Sequence, residues 1–218
     1  MRTLVIDTAT EALSVALCDD DRCIAAFHEI VGRGHAEQLM PRVAALPEGG
    51  RAERILVDTG PGSFTGVRVG LAAARALGYA WNVPVVGYSA LALVALAARR
   101  THNSAEPITV VMTGGHGELF WQQFAVQDLA PLAPPVSTPI SVLAGQLDSP
   151  LVYGSGATAL VAAGYKGRAV PLHPEAADAV ALPPALFQEE AGAVYGRGAD
   201  AMTVAQRQTL AVVGQRDE

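Results

Sequence analysis

Ile55-Leu56-Val57-Asp58-Thr59-Gly60-Pro61-Gly62-Ser63-Phe64-Thr65-Gly66-Val67-Arg68-Val69-Gly70 changes character twice within one short stretch. Ile55-Leu56-Val57 is a compact apolar run, the pattern of a parallel strand buried on both faces. Gly60-Pro61-Gly62-Ser63 is a turn, because glycine and proline punctuate regular structure. From Ser63 a helical pattern begins and runs to about Trp81. A strand, a glycine turn and a helix start together make a ready anion site. The stretch is not a Walker A loop, since no Gly-Lys-Ser/Thr follows. It is not the dinucleotide fingerprint either, because the spacing is Gly-x-Gly-x-x-x-Gly and Pro61 removes a donor. Tight-turn architecture and phosphate binding through Gly60, Gly62 and Ser63 both stay open.

The helix that follows carries a small-residue stripe, Gly66, Gly70, Ala74 and Gly78, every four residues. Each interior glycine costs a helix about 1 kcal/mol relative to alanine, so close packing must offset Gly70 and Gly78. Two neighbours could supply it: the chain's own sheet, or the helix of another molecule. Val67, Leu71 and Leu77 leave little of the helix polar, which predicts cover on more than one side.

Working outward, Thr3–Thr8, Leu13–Leu17 and Cys23–Val31 read as three strands joined by short turns, one of them Asp19-Asp20-Asp21. Such an order is an antiparallel meander. A helix near His35–Leu46 places Leu39, Val43 and Leu46 on one face. Pro41 inside it predicts a kink or a restart. Val83–Gly87 is a further strand and Ala90–Arg99 a further helix. The polar stretch Thr101–Pro107 marks a lobe boundary. Beyond it, Val110-Val111-Met112-Thr113 with Leu119-Phe120-Trp121, then Leu151-Val152-Tyr153 with Gly154-Ser155-Gly156, repeat the first half in worn form. The expected division is a lobe over 1–100 and a smaller one over 107–199. Leu129–Pro139 reads as an irregular edge, and a helix at about 200–213 is expected to pack back on the first lobe.

The turn after the first strand, Asp7-Thr8-Ala9-Thr10, is the second candidate phosphate loop, with Asp7 available for a metal. Phosphate turns favour glycine for close backbone approach, and here the position is Ala9. The alternative is an aspartate that satisfies the N–H groups of its own turn. His28, His35, His102, His116 and His173 form no zinc spacing. Ser63 does not sit in a Gly-x-Ser-x-Gly elbow, and no nucleophile–base pair suggests a peptidase.

Half of the 218 residues are hydrophobic and 17% are charged, which excludes a disordered tail protein. The formal net charge is −6, with 14 scattered arginines and one lysine, Lys166. Such a surface attracts phosphate backbones weakly, so RNA, if it is handled, is expected to be held by something else. No stretch reaches the length of a membrane span and the N-terminus lacks a signal-peptide pattern, so a cytoplasmic location is expected. Cys18 and Cys23 would face each other if Asp20-Asp21 form a two-residue turn. In a cytosol they are expected to be small apolar residues rather than a disulfide.

Three blocks resemble the TsaB/YeaZ family: Leu4–Leu17, His35-Ala36-Glu37-Gln38-Leu39-Met40-Pro41 and Gly60–Gly70, in order and spacing over roughly residues 1–95. The run Gly-Pro-Gly-Ser-Phe-Thr-Gly-x-Arg is the specific one. The resemblance implies an actin-like ATPase fold of two tandem ribonuclease H-like lobes. It implies work with TsaD, the metal-bearing protein that transfers the threonylcarbamoyl group to the adenosine beside the tRNA anticodon, and with the ATPase TsaE. The chain would not be catalytic by itself and would meet tRNA only through that complex. It would pair with TsaD, or as a homodimer, through its first-lobe helices. His35, Leu39, Val43, Gly66, Gly70, Ala74 and Gly78 are the interface candidates on those helices. ATP or ADP at a shared subunit interface is the one cofactor suggested. In the second half the family's Asp-Ala-Arg is replaced by Thr113-Gly114-Gly115, while Glu118 and Phe120 fit. Ala193 stands for the proline of Pro-x-Tyr-x-Arg, with Tyr195 and Arg197 in place. The rival reading is an actin-like ATPase or kinase using Asp7 and the Gly60–Gly66 loop.

Overall fold

The computed structural model describes residues 1–193, so the expected helix at 200–213 lies outside the described residues. The chain runs β1 (Arg2–Asp7), β2 (Ala12–Asp19), β3 (Arg22–Ile30), α1 (His35–Ala44), β4 (Arg54–Asp58), α2 (Phe64–Trp81), β5 (Val85–Tyr88) and α3 (Ala90–Arg99). It continues with β6 (Ile108–Thr113), β7 (Glu118–Phe124), β8 (Val136–Pro139), α4 (Ile140–Gln146), β9 (Leu151–Tyr153), α5 (Ala157–Ala162) and β10 (Arg168–Val170). Two 3₁₀ segments, Ala176–Ala181 and Pro184–Leu186, lead to β11 (Phe187–Gln188).

Two mixed sheets result. The first has the strand order β11-β5-β4-β1-β2-β3 and the second β10-β9-β6-β7-β8. Without β11 the two orders superpose strand for strand. In each, an antiparallel meander is extended by two parallel strands on the far side of its first strand. The worn repeat in the sequence is therefore a duplicated topology, the actin-like arrangement of two ribonuclease H-like units. β1 lies at the centre of the first sheet, with Leu4 opposite Leu17 on β2 and Ile55 on β4. Cover on both faces explains why every residue from Thr3 to Asp7 is buried.

α1 and α2 pack side by side on one face, α1 over β2 and α2 over β4 and β1. α3 lies between the sheets, touching β6, β7, β9 and the 3₁₀ segment Ala176–Ala181. That setting accounts for a helix in which every residue but Ala97 and Arg99 is buried. One core runs through both sheets, from Leu4 to Val110 and Tyr153, and a second small cluster around Leu143 and Leu160 fills the outer side of the second sheet.

Three expectations are corrected. Pro41 does not restart α1, which is one helix from His35 to Ala44. Pro41 and Glu37 are both exposed, so water can take the carbonyl that proline leaves unbonded. Part of the segment expected as an irregular edge is β8, paired antiparallel with β7. An edge strand needs partners on one side only and tolerates proline. The chain also leaves the second sheet well before residue 199. Ala176–Ala181 packs on β1, β2 and β3, and Phe187 and Gln188 pair with Tyr88 and Gly87 of β5. Arg100 grips Asp178 through two nitrogens at 2.9 and 2.5 Å.

The return is pinned at a buried point, where the Ala176 N–H donates to Ser14 Oγ at 2.9 Å. Ser14 is 2% exposed. Ser14→Ala would orphan that N–H, at a cost of about 1–3 kcal/mol. Urea unfolding should show the midpoint lowered with an unchanged slope; an unmoved midpoint would mean that water replaces the serine.

Candidate phosphate loops and the helical face beside them

β1 and β4 are parallel neighbours with Ile6 opposite Val57, and β4 and β5 pair Asp58 with Tyr88. Three adjacent strand ends therefore bring Asp7, Asp58 and Tyr88 together. The two candidate loops, carrying Asp7 and Thr8 and carrying Gly60, Gly62 and Ser63, do meet. Their polar groups are turned on one another. The Thr8 N–H donates to Asp58 Oδ2 at 2.8 Å and the Gly60 N–H to Asp58 Oδ1 at 3.2 Å. The Ala9 N–H donates to Asp7 Oδ1 at 3.2 Å, and the Ser63 N–H to the Ala9 carbonyl at 2.7 Å. Ser63 Oγ caps α2 by accepting from the Gly66 N–H at 3.2 Å. A Cβ on Gly62 would run into the Ala9 carbonyl, which is why glycine stands there. The N–H groups of Thr8, Ala9, Gly60, Ser63 and Gly66 are thus engaged within the knot. The sequence alternative of a turn satisfied by its own aspartate describes this geometry.

Asp7 and Asp58 are both fully buried. Burial, and then the nearby Asp58 charge, push the Asp7 carboxyl well above its ordinary value. The hydrogen bonds from the Tyr88 hydroxyl, at 3.0 Å, and the Ala9 N–H only partly offset this. Burial pushes Asp58 up to about 6, against the pull of the Thr8 and Gly60 N–H groups and the Thr8 hydroxyl. Both carboxyls therefore hold their protons to higher pH than a solvated aspartate does. A metal-handling aspartate, as the kinase reading requires, is an accessible carboxylate. The pair with Tyr88 was missed in the sequence; the available signal was that each of the three residues closes one of three consecutive parallel strands.

The seven interface candidates all face inward. His35 is 6% exposed, its Nε2 3.2 Å from the Ala12 carbonyl, and Leu39 and Val43 belong to the core. A Cβ on Gly66 would meet the Thr8 carbonyl, one on Gly70 the Thr8 hydroxyl, and one on Gly78 Val85. Ala74 is fully buried. The stripe is the underside of α2, kept bare so that its backbone can lie on the knot and on β5. The outward sides of the same helices present Ala36, Met40, Pro41 and Ala44 from α1, and Ala72, Ala76, Tyr79 and Ala80 from α2, all exposed. Tyr79 is 92% exposed.

In the second sheet, the Thr113 N–H donates to Ser155 Oγ at 3.1 Å, joining the counterpart loops, and Glu118 Oε2 accepts from Ser137 Oγ at 2.6 Å. Among the described residues, no three His, Cys, Asp or Glu side chains are grouped to hold a metal.

The structure is similar to that of YeaZ from Pseudomonas aeruginosa, with a TM-score of 0.72 and 29% identity over 89% of this chain and 99% of that one. It is also similar to a Pseudomonas aeruginosa protein described as having similarity to peptidase YEAZ, with a TM-score of 0.74 and 28% identity over 90% and 99% of the two chains. In sequence it is 37% identical to the tRNA threonylcarbamoyladenosine biosynthesis protein TsaB of Escherichia coli over 129 residues, 57% of this chain and 55% of that protein. In sequence and in structure alike, the chain is similar to TsaB/YeaZ proteins. The YeaZ matches extend over both sheets, so the TsaB/YeaZ architecture includes the second half, where the sequence resemblance was loose. The chain spans about half the length of the curated TsaB relatives it matches; TsaB of Bacillus subtilis gives 32% identity over 49% of its length. The sequence model of the family TsaD, tRNA N6-adenosine threonylcarbamoyltransferase, matches residues 27–132. That stretch runs from within β3 to just past β7 and so includes α1 and α2.

Proposed function

We propose that this chain is a non-catalytic partner subunit in threonylcarbamoyl transfer to the adenosine beside the tRNA anticodon. It acts through a complex with a TsaD-type transferase and a TsaE-type ATPase, in the cytoplasm, and forms a homodimer when alone. One observation carries the reading: the outward sides of α1 and α2 expose a row of small and apolar residues, Ala36, Met40, Pro41 and Ala44 beside Ala72, Ala76, Tyr79 and Ala80, with Glu37, Arg68 and Arg75 set among them. Small residues let helix backbones of two molecules approach closely and gain dispersion contact. The knot at Asp7 and Asp58 supports it from the other side, since the N–H groups of Thr8, Ala9 and Gly60 are spent on the two carboxylates. ATP or ADP, if bound, belongs at the shared subunit interface, and tRNA is reached through the complex. The first lobe then spans residues 1–100, and the second begins near 107.

Light scattering of the chain alone and mixed with a TsaD-type protein from the same source tests this. Met40→Arg combined with Ala76→Arg should weaken the complex about 30-fold or more, the size of a central interface contact. Unfolding stability should change by no more than about 0.5 kcal/mol, as at exposed sites generally. A complex of unchanged strength would remove the outward face from the proposal.

A further inference from the structure

β2 and β3 are joined by a two-residue turn at Asp20-Asp21, with Asp20 at φ 52. Asp19 pairs with Arg22, and Cys18 directly with Cys23. In a two-residue hairpin the pair flanking the turn exchanges hydrogen bonds. The next pair is therefore the non-hydrogen-bonded kind, with Cα atoms about 4.5 Å apart and side chains on the same face. That separation falls within the window a disulfide spans, about 4.4–6.8 Å. Both residues are free thiols, Cys18 fully buried and Cys23 exposed. The register shift beside this pair, between Leu17 and Cys18, places an extra residue on β3 and holds the two strands from sliding.

We propose that Cys18 and Cys23 form a reversible oxidation site, which a low-molecular-weight disulfide such as oxidised glutathione closes into an intrachain bond. Accessibility sets the order. The Cys23 sulfur loses its proton and attacks one sulfur of the oxidant. The oxidant's S–S bond breaks, a mixed disulfide forms on Cys23, and the departing thiolate takes up a proton. Cys18 then loses its proton and attacks Cys23 Sγ, releasing the second small thiol. Two electrons pass from the two cysteines to the oxidant. Burial, with the adjoining Cys23, pushes the Cys18 thiol up to about 12, which leaves the exposed Cys23 as the one that meets the oxidant first.

The folded chain is incubated with oxidised glutathione, quenched with acid and weighed intact, then mapped by peptide mass spectrometry. The expected product has lost two hydrogens, carries no glutathione, links residues 18 and 23 within one chain, and reverts with dithiothreitol. Cys23→Ser should take up no glutathione, and Cys18→Ala should stop with one glutathione on Cys23. The wild-type result alone decides the matter if the buried substitution disturbs folding. A wild-type chain that keeps glutathione on Cys23, stays fully reduced, or forms its bond between two chains overturns the proposal.

Discussion

Gly70→Leu should cost the protein about 4 kcal/mol or more, leaving much of the chain unfolded where the wild type is folded. The new Cβ would collide with the Thr8 hydroxyl, with Asp58 Oδ2 and Ile6 Cγ2 next at 3.6 Å. Thr8 cannot swing aside freely. Its Oγ1 donates to the Gly66 carbonyl at 2.8 Å and lies 3.3 Å from Asp58 Oδ2. Overpacking a filled core costs about 1–3 kcal/mol, and loosening hydrogen bonds to a buried carboxylate adds about 1–3 kcal/mol. Domains are stable by only about 5–15 kcal/mol in all. Urea unfolding followed by circular dichroism measures the loss, with Ala76→Leu on the outward side of α2 as the control that should stay within about 0.5 kcal/mol. Equal behaviour of the two variants would show that the stripe does not lie on the knot.

Stability should fall as pH rises from about 4 towards 8, opposite to the trend expected of salt-bridged aspartates. Asp7 and Asp58 both have folded-state values raised above the unfolded value of about 3.9. Below that value both carboxyls are protonated in either state, and their contribution is at its most favourable. Above it the unfolded chain ionises freely while the fold resists, so each group removes about 1.4 kcal/mol per pH unit. Asp58 stops contributing once pH passes about 6, and Asp7, also raised by burial, adds its own share to the loss. Asp7→Asn removes that share. Its amide can still accept from Ala9, and Tyr88 has the Ile6 carbonyl at 3.4 Å as another acceptor. The variant should therefore be more stable than the wild type at pH 8, and nearly equal to it at pH 4. Unfolding midpoints across that window read the difference. A wild-type stability that climbs with pH would mean that Asp7 is ionised and paired.

Much of the architecture was legible in the residues. The β1–β2–β3 meander, the buried run at Ile55–Val57, the helix after Ser63 and the worn repeat follow from periodicity and turn chemistry, which act over a few residues. Short elements such as β8, β10 and β11 were not legible, because two to four residues carry no period and their pairing depends on a distant strand.

The sequence by itself determined that α2 has a bare side and that two aspartates follow two strands. Only the tertiary structure decided that the bare side lies on Thr8 and Val85, and that Asp7 and Asp58 share one buried enclosure with Tyr88. A glycine stripe shows that something comes close without saying what. The neighbour is set by the parallel register of β1, β4 and β5, whose strands are separated by some fifty and thirty residues of chain. Burial raises the titration of both Asp7 and Asp58, and burial is a property of the assembled sheet, written in no short stretch of residues.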